Sequence, residues 1–205
     1  MIAIINYGLG NLASIQNMCK QLGVGAQITN DVEQISQASK IILPGVGNFE
    51  KGMENLQVSN LNSLLDELVR KKKRPILGIC LGAQLMTKHS QEGNVNGLGW
   101  IDAITVRFDQ SKTNGFKVPH MGWSEIQIQK ENPLLINLPS EPRFYFVHGY
   151  HFLFENKEQI SATSTYSYDF ACAFQKGNIF GTQFHPEKSH KFGMKVIENF
   201  YNLCN

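Results

Sequence analysis

The chain has 205 residues, 42% hydrophobic and 18% charged, enough for one domain with a full core and too apolar for a disordered segment. A net charge of +2 gives no reason to expect nucleic acid as a partner. No apolar run approaches the roughly 20 residues that span a bilayer, and the first strand-like residues carry no charged lead, so neither a membrane span nor an export signal is expected.

The first half alternates strand and helix signals. MIAIIN (1–6) reads as a strand, followed by a helix over about 12–22, a short strand near 25–29 and a brief helix with Asp31 as its cap. KIILPG (40–45) comes next, then a loop, a helix over 60–73 with Leu61, Leu64, Leu65 and Leu68 on one face, the strand PILGIC (75–80) and a helix from Leu81. That order predicts a mainly parallel sheet flanked by helices, an α/β fold that binds ligands beyond the carboxyl ends of its strands. The basic run at 70–74 ends the leucine helix, where cations complement the dipole and snorkel into water.

From Gly97 the pattern changes to strands joined by turns: WIDAITVRF, WSEIQIQ, RFYFVHGYHF, SATSTY, ACAFQ and NIFGTQFH. These predict an additional, mostly antiparallel portion. Residues 189–203 return to helix, with Phe192, Val196, Ile197 and Phe200 on one stripe. No repeat or linker interrupts the chain, so a single domain over 1–205 is expected.

Four cysteines (Cys19, Cys80, Cys172, Cys204) are scattered without a CxxC pair, which suits a reducing cytoplasm. Cys80 stands apart, in G-x-C-x-G at a strand-to-helix turn. It is either a small buried hydrophobe or a nucleophile on a strained elbow. Flanking glycines remove clashing Cβ atoms, the Leu81 amide points at the atom under attack, and the helix N-terminus favours negative charge. Gly8 and Gly10 form G-x-G-x-x-A with Asp31 about 20 residues on, a weak dinucleotide pattern that reads better as a turn at the active edge.

A nucleophilic thiol needs a base. Of six histidines, only His185 in GTQFHPEKS ends a strand with a carboxylate, Glu187, two residues on. An extended backbone fixed by Pro186 would turn both side chains to one side, so that Glu187 orients His185. The bland alternative is a surface loop with a chance charge pair. In PGVGNF (44–49), the amides of Val46 and Gly47 offer a second half of an oxyanion hole.

GICLGAQ, PGVGNF and QFHPEKS together resemble the class I, triad-type glutamine amidotransferases. NYGLGNL (6–12) and VPHMGW (118–123) narrow the likeness to the glutaminase subunits of imidazole glycerol phosphate synthases, nearly end to end. The resemblance implies a flavodoxin-like fold and hydrolysis of glutamine by Cys80, His185 and Glu187, with Leu81, Val46 and Gly47 holding the oxyanion and no cofactor or metal. It assigns Gln84, Glu92, Tyr150 and Gly149 to substrate binding. It further implies a (β/α)8-barrel cyclase subunit, or a related ammonia-accepting synthase, facing Asn11, Trp123 and Lys188. Trp123 could equally be a core aromatic. Ser124 stands where the family usually has Asn, Gly149 where it has Ser or Thr, and Asn6 where Asp is common. The tail SHKFGMKVIENF also resembles a paralogous group that feeds ammonia to a sugar amidotransferase in surface-polysaccharide synthesis. A stand-alone cysteine hydrolase and an inactive binding subunit are the rival classes.

Overall fold

The computed structural model describes residues 1–112 and 115–204. Strands β1 (Ile2–Ile5), β2 (Ala26–Thr29) and β3 (Lys40–Leu43) and helices α1 (Leu12–Gln21) and α2 (Val32–Gln37) follow the apolar pattern. Asp31 caps α2 by accepting from the Gln34 amide at 2.8 Å. The acid that a dinucleotide site would need is therefore spent on a helix end.

The stretch expected as a loop is helix α3 (Phe49–Val58), capped by Asn48, which accepts from the Lys51 amide. Its Gly52 reads as a helix breaker, but a Cβ there would lie 3.1 Å from the Leu85 methyls. The glycine serves close packing. The helix expected over 60–73 is α4 (Leu61–Asp66) continued by a π-helical turn (Glu67–Lys71), whose basic end pairs Arg70 with Asp66 and Lys72 with Glu67.

Strand β4 (Ile76–Ile79) leads through Cys80 into α5 (Leu81–Gln84), a single turn and not a long helix. The carbonyls of Leu85, Met86 and Thr87 accept instead from the amides of Leu98, Trp100 and Gly99, so the helical ladder cannot continue. The remaining strands are β5 (His89–Ser90), β6 (Val95–Asn96), β7 (Ala103–Arg107), β8 (His120–Glu125), β9 (Gln127–Ile128), β10 (Arg143–His148), β11 (Tyr150–Phe154), β12 (Ile160–Tyr166), β13 (Tyr168–Lys176) and β14 (Ile179–Thr182). Helix α6 (His190–Leu203) closes the chain and buries Phe192, Val196, Ile197 and Phe200 as its stripe predicts.

The main sheet runs β2-β1-β3-β4-β14-β13-β11-β7-β5-β6. Its first five strands are parallel, in the flavodoxin-like order; β13 pairs antiparallel with β14, and β11 with β13 and β7. β8 and β10 form a separate antiparallel ribbon. Along β1, Ile2 and Ile4 enter one core with α1 and α6, while Ala3 and Ile5 enter the other with α3 and α4. Three turns therefore meet at the carboxyl edge: 6–10 after β1, 44–47 after β3, and Cys80 after β4. Among the described residues no helix is long and apolar enough to cross a membrane.

Candidate active site

Cys80 adopts φ +51°, ψ −111°, backbone that costs any residue with a Cβ about 1–3 kcal/mol. What enforces it is contact with the loop after β3. A Cβ on Gly82 would lie 1.9 Å from the Leu43 carbonyl oxygen, and one on Gly45 would lie 2.5 Å from the Gly82 nitrogen. Two backbones touch where no side chain fits. The buried Tyr7 hydroxyl donates to the Pro44 carbonyl at 2.6 Å and holds the loop from the opposite side. Burial, and then the charge of Cys80, push the Tyr7 phenol far above its ordinary value.

Cys80 is only 6% exposed. Its Sγ receives Gln183 Nε2 at 3.6 Å and approaches the Val147 carbonyl at 4.0 Å. Gln84 Nε2 donates to both Gln183 Oε1 and the Tyr150 carbonyl, each at 3.1 Å. Gln183 was not among the residues read as functional, although it stands two positions before His185 in a quoted motif. A buried glutamine beside the base was the available signal.

His185 Nδ1 lies 2.8 Å from Glu187 Oε1, with the two side chains 0% and 1% exposed. The surface-loop reading is excluded. The backbone is not extended throughout, however: residues Pro186–Lys188 form a 3-10 turn, and proline serves as its first residue. Ser189 Oγ ties that turn down by donating to the His185 carbonyl at 2.6 Å. Among the described residues, His185 Nε2 and Glu187 Oε2 close no hydrogen bond of ordinary geometry. Burial would lower the His185 pKa; the charge and a loose hydrogen bond from Cys80, then the bond and charge of Glu187, override it and raise the imidazole to about 10. The three side chains thus act on one another across the edge of the sheet.

The remaining candidates scatter around this centre. Leu81 begins α5 beside the sulfur, while Val46 is 42% exposed on the rim and Gly47 sits at φ +127°. Glu92 Oε2 accepts from the Phe49 amide at 2.9 Å and so anchors the far end of the 44–49 loop. Tyr150 starts β11, and Gly149 joins β10 to β11 with space for a Cβ, whose nearest neighbour would be Val118 Cγ1 at 3.7 Å. Asn11 precedes α1 and accepts from Ser14 Oγ at 2.9 Å. Trp123 is 44% exposed and stacks on His190 at 5.5 Å, which overturns its reading as a core aromatic. Lys188 lies 5.4 Å over the Tyr145 ring on the same side.

The main sheet has the flavodoxin-like strand order, and the sequence profile of the family "Glutamine amidotransferase class-I" matches residues 3–204. The chain belongs to this family of enzymes. Among curated relatives it is 53% identical to imidazole glycerol phosphate synthase subunit HisH 2 of Methanococcus maripaludis, over 98% of each chain. It is 43% identical to that organism's subunit HisH 1, over 99% of this chain and 100% of that one. The solved structure of PurLQS from Thermotoga maritima shares the fold with a TM-score of 0.75, at 16% identity and over 100% and 98% of the two chains.

The strain at position 80 predicts that Cys80→Gly is more stable than Cys80→Ala by about 1 kcal/mol, the reverse of the usual cost of glycine. Urea denaturation of the two variants, which both lack the sulfur, measures it. The charge balance predicts that in Cys80→Ala the His185 titration falls well below about 10, since burial then meets only Glu187. Nitrogen-15 NMR of the ring reads this directly. In the wild type, the raised folded value against 6.5 unfolded gives His185 a stabilising contribution that is complete below pH 6.5 and lost as pH climbs through about 10.

Proposed function

We propose that Cys80, His185 and Glu187 hydrolyse the side-chain amide of glutamine, and that residues 1–205 form one glutaminase domain. The observation that carries this reading is the strained elbow sulfur within electrostatic reach of a buried, carboxylate-oriented imidazole. The thiolate attacks the amide carbon, and the oxyanion forms against the amides of Leu81 and of the Val46–Gly47 loop. His185, protonated, gives its proton to the departing nitrogen, so ammonia leaves and a γ-glutamyl thioester remains. Water then attacks the thioester while His185 takes its proton back, which frees glutamate and the thiolate. Glu187 keeps the ring in the productive tautomer throughout. Gln84, Glu92, Tyr150 and Gly149 line the substrate, and the tie of Glu92 to Phe49 supports a site closed by the 44–49 loop.

Ammonia released to water is protonated and loses its nucleophilicity, so the reaction calls for an acceptor close by. We infer that the chain works in the cytoplasm as the glutaminase subunit of an imidazole glycerol phosphate synthase in histidine biosynthesis. Its partner is then a (β/α)8-barrel cyclase subunit docked over Asn11, Trp123 and Lys188. Exposed Trp123 and Met121 on the outward face of β8 support that surface. A second reading is favoured by one observation. Of two HisH-named proteins in one organism, the chain is more similar to the one numbered 2, by 53% against 43%. A paralogous subunit that supplies a different ammonia acceptor, such as a sugar amidotransferase, fits that difference.

Cys80→Ser is expected to lower glutamine turnover by at least about a thousandfold with the circular dichroism unchanged; turnover at the wild-type rate contradicts the mechanism. Co-purification from the native cell is expected to bring down a barrel cyclase whose addition speeds glutamine hydrolysis, whereas a sugar amidotransferase in its place selects the second reading.

A further inference from the structure

Two buried histidines, His120 and His148, take no part in the reaction above. Yet they sit between the β8–β10 ribbon and the crossing at 147–150 that lines the sulfur. His148 Nδ1 lies 2.8 Å from the Tyr150 carbonyl, His148 Nε2 lies 3.2 Å from His120 Nδ1, and His120 Nε2 lies 2.9 Å from Ser124 Oγ. A carbonyl oxygen can only accept, so His148 must carry its proton on Nδ1. In a neutral ring its Nε2 then accepts, and His120 Nδ1 must be the donor. His120 Nε2 is left as an acceptor, and the Ser124 hydroxyl donates to it. The chain of bonds runs one way only: Ser124 to His120 to His148 to the Tyr150 carbonyl.

Burial supports the neutral rings. It lowers the His120 pKa to about 4, and burial first, then the charge of His120, lowers that of His148. Aromatic walls fix the ring planes. His120 stacks on Phe146 at 4.9 Å and on Tyr166 at 4.1 Å, and Phe108 packs on His148 at 5.3 Å. The far end of the chain is a busy atom. The Tyr150 carbonyl accepts from His148 and also from Gln84 Nε2, while the Val147 carbonyl beside it approaches Cys80 Sγ at 4.0 Å.

We propose that Ser124, His120 and His148 are positioning residues for glutamine hydrolysis: a one-way hydrogen-bond chain that holds the 147–150 crossing against the nucleophile. The proposal rests on the glutaminase reading of the site. It also accounts for the departure at position 124, since Ser and the Asn usual there both supply a donor to His120 Nε2. Serine's hydroxyl is enough. The outward face of β8 carries Met121 and Trp123 while the inward face carries His120 and Ser124, so the chain starts on the strand that also bears the proposed docking surface.

The test combines nitrogen-15 NMR at pH 7 with kinetics of Ser124→Ala and Ser124→Asn. In the wild type both rings are expected on the Nδ1–H tautomer, the minor one for a free imidazole. Ser124→Ala is expected to leave His120 Nε2 an acceptor without a donor, which moves its nitrogen-15 resonance toward that of an unbonded ring nitrogen, and to lower kcat/KM for glutamine by about tenfold. Ser124→Asn is expected to keep both tautomers and stay within about twofold of wild type, with the circular dichroism of both variants unchanged. An Nε2–H tautomer in either wild-type ring overturns the proposal, as does wild-type kcat/KM in Ser124→Ala. A wild type without glutamine turnover in the presence of its ammonia acceptor would instead overturn the glutaminase reading, and the tautomers would still decide the chain.

Discussion

The turn that carries Cys80 lies directly on the loop after β3, and no carbon atom fits between them. Gly82 faces the Leu43 carbonyl and Gly45 faces the Gly82 nitrogen, so peptide planes, not side chains, form the contact. The sulfur of Cys80 inherits its position from this seam. The positive φ of Cys80 follows from it, as does the closeness of the Gly82 nitrogen and the Leu81 side chain to Gly45. Tyr7 and Glu92 then hold that loop at its two ends, one through Pro44 and the other through Phe49. The parallel sheet supplies the rigidity, because β1, β3 and β4 deliver their turns to one edge in register.

Burying an imidazole and a carboxylate side by side is costly unless each is satisfied by the other. Here the cost is offset within the triad itself: Glu187 and the sulfur both favour the protonated ring, against the desolvation that opposes it. His185 Nε2 closes no bond of ordinary geometry, and under the proposed mechanism it is the atom that serves the leaving nitrogen. A polar atom left without a partner in an otherwise paired interior is tolerable when a substrate completes it. The surrounding histidines follow the opposite rule. His120 and His148 have their bonds closed and remain neutral, which keeps a second positive charge away from His185.

Much of this was legible in the sequence, for identifiable reasons. The parallel strands β1, β3, β4 and β14 are short, rich in isoleucine and buried at every residue, so their apolar runs stood out, and the elbow was marked by two glycines around a cysteine. The triad pair was legible because proline and a two-residue spacing confine the geometry, although a 3-10 turn and not extended backbone brings Glu187 to His185. Helix α3 was hidden because Gly52 is kept for packing against Leu85, a contact 33 positions away that no local pattern reveals. The single turn of α5 escaped for a similar reason: carbonyls 85–87 are claimed by amides from residues 98–100. Gln183 carried only its nearness to His185 as a signal, and the link of His120 to His148 was hidden because 28 positions separate them. The exposure of Trp123 was undecidable because a two-stranded ribbon leaves one face open whatever its sequence.

The backbone at position 80 has a longer consequence. Glycine is the residue this conformation suits best, so the sulfur occupies a site whose local energetics favour its removal. The amide cleavage proposed for it is what would hold it there. In a lineage that kept the scaffold for binding alone, drift toward glycine at this spot would be downhill, and such a replacement in a kindred chain would be the fossil of a retired enzyme.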